Sequence, residues 1–143
     1  MTMRTSALIL LLQLAGVLHL GLLAAGGTMS KAVQIREATA TLPPFLRRLF
    51  FVYMGFIGLV LAGFGSLTFL FAGEMAGGEP LARGLCFLCA AFWGLRLLVA
   101  IFVFDVRPYL TSRLYRLGYW ATNVVFVYLL VVYSVAAWQG GSP

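Results

Sequence analysis

Charged residues divide this chain into long stretches that carry almost no charge. No charged side chain lies between Arg4 and Lys31, and none lies in 49–72 or in 117–138. A further apolar stretch contains a single charge, Arg96. Each stretch has about 20 residues or more, enough for a helix to cross roughly 30 Å of hydrocarbon. The pattern predicts an all-α, polytopic membrane protein.

Composition supports the same fold class. Hydrophobic residues make up 62% of the 143 residues and charged residues 10%, whereas soluble domains average about 45–50% and about 25%. We predict one membrane domain, 1–143, with four transmembrane helices in an antiparallel bundle. The predicted spans are 6–29, 49–72, 84–106 and 117–138, with a short interfacial helix at about 30–40. The first span resembles a secretory signal peptide, but its apolar run is long for one, so we expect a retained helix.

Basic residues predict the orientation. The connections after the first and third spans hold seven of them, whereas the other side holds only Arg4 and Arg83. The seven are Lys31, Arg36, Arg47, Arg48, Arg107, Arg113 and Arg116. The positive-inside rule then places both termini outside the cytoplasm. We expect the protein in a bacterial inner (plasma) membrane, with both termini in the periplasm. The net charge is +6, but the basic residues that produce it lie beside the spans and do not form a separate basic domain. This location argues against nucleic acid as a partner.

Part of this basic set forms a belt suited to lipid headgroups. Arg107, Arg113 and Arg116 alternate with tyrosine and tryptophan, and Arg47 and Arg48 precede the second span. Such a belt fits the recognition of anionic lipids or of a protein partner, but plain anchoring at the membrane surface is the more common role of such residues.

Three of the polar side chains inside predicted spans are candidate site residues. Arg96 lies about ten residues from either end of its predicted helix, where an arginine costs about 2.5–3.5 kcal/mol to insert. It is a candidate functional residue, or a structural arginine satisfied by carbonyls, tyrosines or water. His19, the single histidine, is a candidate proton relay, haem ligand or quinone contact, or a hydrogen-bonded packing residue. Asn123 lies on the one polar stripe of the fourth span.

Cys86 and Cys89 form a C-x-x-C motif near the outer end of the third span. In this position the motif resembles that of the thiol-oxidising membrane proteins of the DsbB and vitamin K epoxide reductase type. The resemblance implies a four-helix bundle, a redox-active cysteine pair and a bound quinone. Those proteins generally use a second cysteine pair, and this chain has only two cysteines. The alternative is a pair of small apolar packing residues.

Residues 92–97 (FWGLRL), 104–110 (FDVRPYL) and 117–119 (LGY) carry a second resemblance. With these strings the chain resembles small four-helix bacterial inner-membrane proteins of no assigned function. The resemblance implies the architecture and no activity.

Small residues indicate how the helices associate. Helices in lipid associate through close packing of such residues, and the second span carries them at spacings of three and four. They are Gly55, Gly58, Ala62, Gly65 and Ser66. The first span places Ala15, Gly16 and Gly26 on the face of His19.

No nucleotide-binding, catalytic-triad or zinc motif is present in the sequence, so we assign no catalytic and no metal residue. We expect a small, non-enzymatic integral membrane protein that serves as a subunit or scaffold of a larger complex. Its partners would be the bilayer and other membrane subunits or further copies of itself. One alternative is a quinone- or thiol-linked redox protein using Cys86 and Cys89; another is a small transporter or channel. The sequence requires no cofactor, but it is compatible with a bound quinone or with a cofactor held by a partner.

Overall fold

The computed structural model describes residues 3–32, 34–103 and 112–139, and this part of the chain contains helices and no strand. The helices, in chain order, are α1 (Met3–Ala32), α2 (Ile35–Ala38), α3 (Pro44–Leu70), α4 (Ala72–Gly77), α5 (Pro80–Phe102) and α6 (Arg113–Gln139). The long helices α1, α3, α5 and α6 are each apolar enough to cross a membrane. The predicted all-α four-helix bundle is confirmed, and the chain is a multi-pass integral membrane protein.

The ends of the helices differ from the predicted spans in two informative places. Pro44 and Pro80 each occupy the first turn of a long helix, where proline's missing N–H and fixed φ are tolerated. Both helices therefore begin four to five residues before the predicted span. Because α5 ends at Phe102, Arg96 lies six residues from that end rather than at the middle of the helix.

The short connections are also helical in part. The predicted interfacial helix at about 30–40 is reduced to α2, because α1 continues through Ala32 and Gln34 adopts a left-handed conformation, with φ of 48°. Near the end of α1, the hydroxyls of Thr28 and Ser30 donate to carbonyls of the preceding turn. These two hydroxyls are therefore satisfied within a continuous helix. On the other side of the bundle, Gly78, with φ of 77°, ends α4.

The bundle consists of two antiparallel hairpins. In the first, α1 packs along α3; in the second, α5 packs along α6; and α1 also contacts α4 and α6. The first hairpin is closest where Gly16 meets Gly65. A Cβ on Gly65 would lie 2.8 Å from the His19 Cβ, and one on Gly16 would lie 2.8 Å from the Gly65 carbonyl oxygen. Of the predicted small-residue stripe on α3, Gly65 makes this contact, whereas Gly55 has open space around it.

The two hairpins pack against each other over only part of their length. We call the half of the bundle next to α4 the closed half, and the half at the basic connections the open half. The closed half contains the buried core, including Leu12, Met75, Trp93 and Tyr133. In the open half, no residue of 23–31, 44–60 or 113–124 is buried, and Ala100 is the one buried residue of 94–103.

Candidate functional site

His19 lies in the closed half, on the face of α1 that meets the other helices, and is fully buried. Its Nδ1 lies 2.7 Å from the Ala15 carbonyl oxygen, one turn earlier in α1. The Trp93 indole Nε1–H of α5 donates to His19 Nε2 over 3.1 Å. A carbonyl only accepts and an indole N–H only donates. Nδ1 therefore carries the proton, and Nε2 offers its lone pair to the tryptophan.

Both ring nitrogens of His19 are thus occupied within the protein. A metal or haem iron would need the Nε2 lone pair that Trp93 uses. A second proton on the ring would place two N–H groups against each other at 3.1 Å. This arrangement favours a packing role for His19, which was one of the alternatives that the sequence left open.

A second polar pair joins the remaining two helices. The hydroxyls of Thr68 on α3 and Tyr133 on α6 are 2.6 Å apart, and both side chains are fully buried. The Cys89 thiol also interacts with the Tyr133 hydroxyl. The rings of His19 and Tyr133 lie 6.0 Å apart between centroids. One layer of the closed half therefore ties α1 to α5 and α3 to α6 through polar groups.

Cys86 and Cys89 face this layer from α5. Both are free thiols in the structure and both are fully buried. Cys–x–x–Cys places the two residues on one helical face, as the sequence predicts. The structure adds Tyr133 as their neighbour on α6.

Aromatic rings border this layer on the side of the open half. Trp93 stacks on Phe126 of α6, with centroids 5.2 Å apart and an interplanar angle of 28°. Phe92 meets Phe64 of α3 edge to face at 5.5 Å. The contact between Phe92 and Phe64 bridges the two hairpins, and these rings mark the place where the hairpins begin to separate.

Arg96 follows these rings on α5 and is half-buried. Its guanidinium carbon lies 5.1 Å from the centroid of the Phe126 ring, which is a cation–π distance. Arg96 and His19 therefore lie in different environments. His19 is buried in the closed half, and Arg96 lies in the open half, next to the border with the closed half.

The structure does not bring the other predicted site residues together in one site. The Asn123 side-chain amide donates to the Tyr119 carbonyl of its own helix over 2.9 Å. In the basic belt, Arg48, Arg113 and Arg116 are exposed and Arg47 is half-buried. Arg107 lies outside the described residues.

Thr68, Trp93 and Tyr133 are the polar partners that reasoning from the sequence missed. Each has a donor that must be satisfied when it is buried in an apolar bundle. For Trp93 the helical spacing could have served as a signal, because Cys86, Cys89 and Trp93 recur at intervals of three and four along α5. Which helix supplies each partner depends on how the helices rotate, and one sequence does not fix that.

Within the described residues, no group of three or more histidine, cysteine or acidic side chains is close enough to hold a metal ion. The polar groups of the closed half instead satisfy one another. Comparison of the chain with models of known protein families, with curated proteins and with solved structures finds no significant match.

Proposed function

We propose that this protein is a non-enzymatic subunit or scaffold of a larger membrane assembly, and that α3 is the helix that contacts its neighbour. The observation that carries the proposal is the exposure of α3. Of its 27 residues, only Gly65 and Thr68 are buried, whereas each of the other long helices contributes at least four buried residues.

The exposed face of α3 has a surface that suits a second helix. Gly55 and Gly63 lie on it, and a Cβ at either position would meet nothing within 4 Å. Leu59 lies between them along the same i, i+4 row and is 66% exposed. Glycines on a lipid-facing surface allow another helix to approach closely, and such packing is what holds membrane helices together.

The interior supports a role without chemistry. The ring nitrogens of His19 are used by Ala15 and Trp93, and the hydroxyls of Thr68 and Tyr133 are used by each other. A catalytic or transport site needs polar groups aimed at a substrate, and these groups are aimed at the protein itself.

The redox alternative has less support. Thiol chemistry requires a thiolate that a reaction partner can reach, and Cys86 and Cys89 are both fully buried. The transporter alternative depends on Arg96 alone, since His19 is sealed off from the open half by the rings of Phe64 and Phe92.

The test compares two glycines that are equally free of contacts within the chain. Gly63 on α3 and Gly21 on α1 both have open space where a side chain would go, so Gly63→Leu and Gly21→Leu should both fold. We expect the mild-detergent complex extracted from native membranes to be lost in Gly63→Leu and kept in Gly21→Leu, as measured by its size and composition.

A cross-linking experiment locates the contact. Because the native cysteines are buried, Leu59→Cys provides one accessible thiol on α3, and Val131→Cys provides a matched one on α6, where Val131 is 52% exposed. We expect a defined adduct from position 59 and none from position 131. A chain that stays monodisperse and alone in native membranes, with no adduct at position 59, would contradict the proposal.

A further inference from the structure

We propose that the open half of the bundle is a cleft that binds an anionic phospholipid, with the Arg96 guanidinium as the anchor for its phosphate. This surface is separate from the exposed face of α3, so the proposal stands or fails independently of the proposed function. It rests on three features of the described residues: the separation of the hairpins, the place of Arg96 on the wall between them, and the distribution of charge.

The separation can be followed along the inner face of each helix in the first hairpin. On α1, His19 is fully buried, whereas Leu23, one turn further on, is 38% exposed. On α3, Phe64 contacts Phe92 of the second hairpin, whereas Ile57, on the same face and two turns nearer the basic end, is 57% exposed. Side chains that pack against the second hairpin in the closed half are thus followed by side chains that do not.

Arg96 lies on the opposite wall. On α5, Phe92 contacts Phe64 and Trp93 contacts His19. Residues three and four apart share a helical face, so Arg96 continues the face of these two residues. It lies one turn beyond them, toward the open half. Its distance from the end of α5 at Phe102 is about 9 Å along the helix axis, within reach of a lipid headgroup that enters between the hairpins.

Charge favours an anion at this end of the molecule. Among the described residues, the last turn of α1, the connection that follows it, the start of α3 and the first turn of α6 hold six basic side chains and one acidic side chain, Glu37. The basic ones are Lys31, Arg36, Arg47, Arg48, Arg113 and Arg116. Basic clusters beside membrane spans attract anionic lipids, and Arg96 continues this positive potential into the cleft.

The walls favour a lipid over a soluble anion. Ile57 and Leu23 are exposed apolar side chains, and Phe126 supports the guanidinium with its ring face. A phosphate with acyl chains matches both the charge and the apolar walls, because the chains can cover surface that water would otherwise meet.

The experiment uses Trp93 as an internal probe in the full-length chain. Trp93 is 2% exposed and stacks on Phe126 at the closed end of the cleft, whereas Trp120 and Trp138 are 65% and 78% exposed. A chain with Trp120→Phe and Trp138→Phe is placed in bilayers that contain phosphatidylglycerol or phosphatidylcholine with the same brominated chains. We expect phosphatidylglycerol to quench Trp93 with about fivefold higher apparent affinity, the effect of one basic group near an anionic headgroup.

The variants assign that preference to Arg96. In Arg96→Gln we expect the two lipids to quench equally, and in Arg96→Lys most of the preference to remain. Arg83→Gln, at the other end of α5, is the control and should keep the full preference. Helical circular dichroism and the Trp93 emission maximum check the fold, and the comparison of lipids in the chain with native Arg96 tests the proposal even if a variant does not fold.

Three results would overturn the proposal. They are equal quenching by the two lipids with Arg96 intact, an unchanged preference in a folded Arg96→Gln chain, and displacement of the brominated lipid by inorganic phosphate but not by chloride at equal ionic strength. The last result would assign the anchor to a soluble anion.

Discussion

At the scale of single residues, the polar side chains of the core occur as partners on different helices. His19 accepts from Trp93, and Thr68 bonds Tyr133. Such bonds between membrane helices contribute on average about 0.6 kcal/mol each. Their geometric consequence is larger than this energy suggests, because each pair fixes the rotation of one helix relative to another.

The substitution Trp93→Phe should expose how far the bundle depends on the His19 pair. It removes the indole donor, leaves the His19 Nε2 unsatisfied in a fully buried site, and opens space beside Phe126. We expect a loss of about 1–3 kcal/mol in the free energy of unfolding, measured by denaturant titration in mixed micelles. The matched control is Trp120→Phe, at an exposed position, which should change the free energy by less than about 0.5 kcal/mol.

At the scale of the helices, the contact of α1 with α3 depends on two glycines. Gly16 and Gly65 bring the backbones so close that no side chain fits between them. α3 also packs along α1 elsewhere, and this crossing is where the two helices come closest. The same feature explains how α3 can be firmly placed and yet remain exposed along most of its length.

The glycine crossing leads to a paired prediction. A Cβ at Gly65 would lie 2.8 Å from the His19 Cβ, whereas one at Gly63 would meet nothing within 4 Å. We therefore expect Gly65→Ala to lower the free energy of unfolding by about 1–3 kcal/mol through overpacking. Gly63→Ala should be neutral or stabilising by up to about 1 kcal/mol, because alanine favours the helix. Equal effects of the two variants in the same titration would contradict the close crossing.

At the scale of the whole molecule, charge and packing divide the bundle in the same way. The closed half contains the buried core, and the open half ends in the basic connections. In the sequence, seven basic residues fall in or beside the connections that follow the first and third spans, against two on the other side. This bias predicts that the open half faces the cytoplasm.

Reporter fusions test this orientation. A periplasm-dependent phosphatase fused after residue 143 should be active, and one fused within 34–43 should be inactive. A fluorescent protein that matures only in the cytoplasm should give the reverse pattern. An active phosphatase in the connection between α1 and α3 would contradict the orientation, and the cytoplasmic location of the proposed lipid cleft with it.

The sequence predicts the four spans well because their length and lack of charge are imposed by the bilayer and not by neighbouring helices. It predicts less about the depth of Arg96, since Pro80 extends α5 at one end and the helix stops at Phe102 at the other. The partners of His19 and Tyr133 could not be predicted, because they depend on the mutual rotation of four helices. The open half escaped prediction for a related reason: the apolar patterns of α3 and α6 fit a fully packed bundle equally well.

The bond between His19 and Trp93 also has a consequence for how the chain is made. The ribosome delivers the histidine with the first hairpin, and its indole partner arrives 74 residues later. Throughout that interval the imidazole nitrogen faces hydrocarbon or the insertion machinery with no indole to accept from. The bond therefore forms only after the second hairpin has been made and inserted, so the final rotation of α1 against α5 belongs to a late step of assembly.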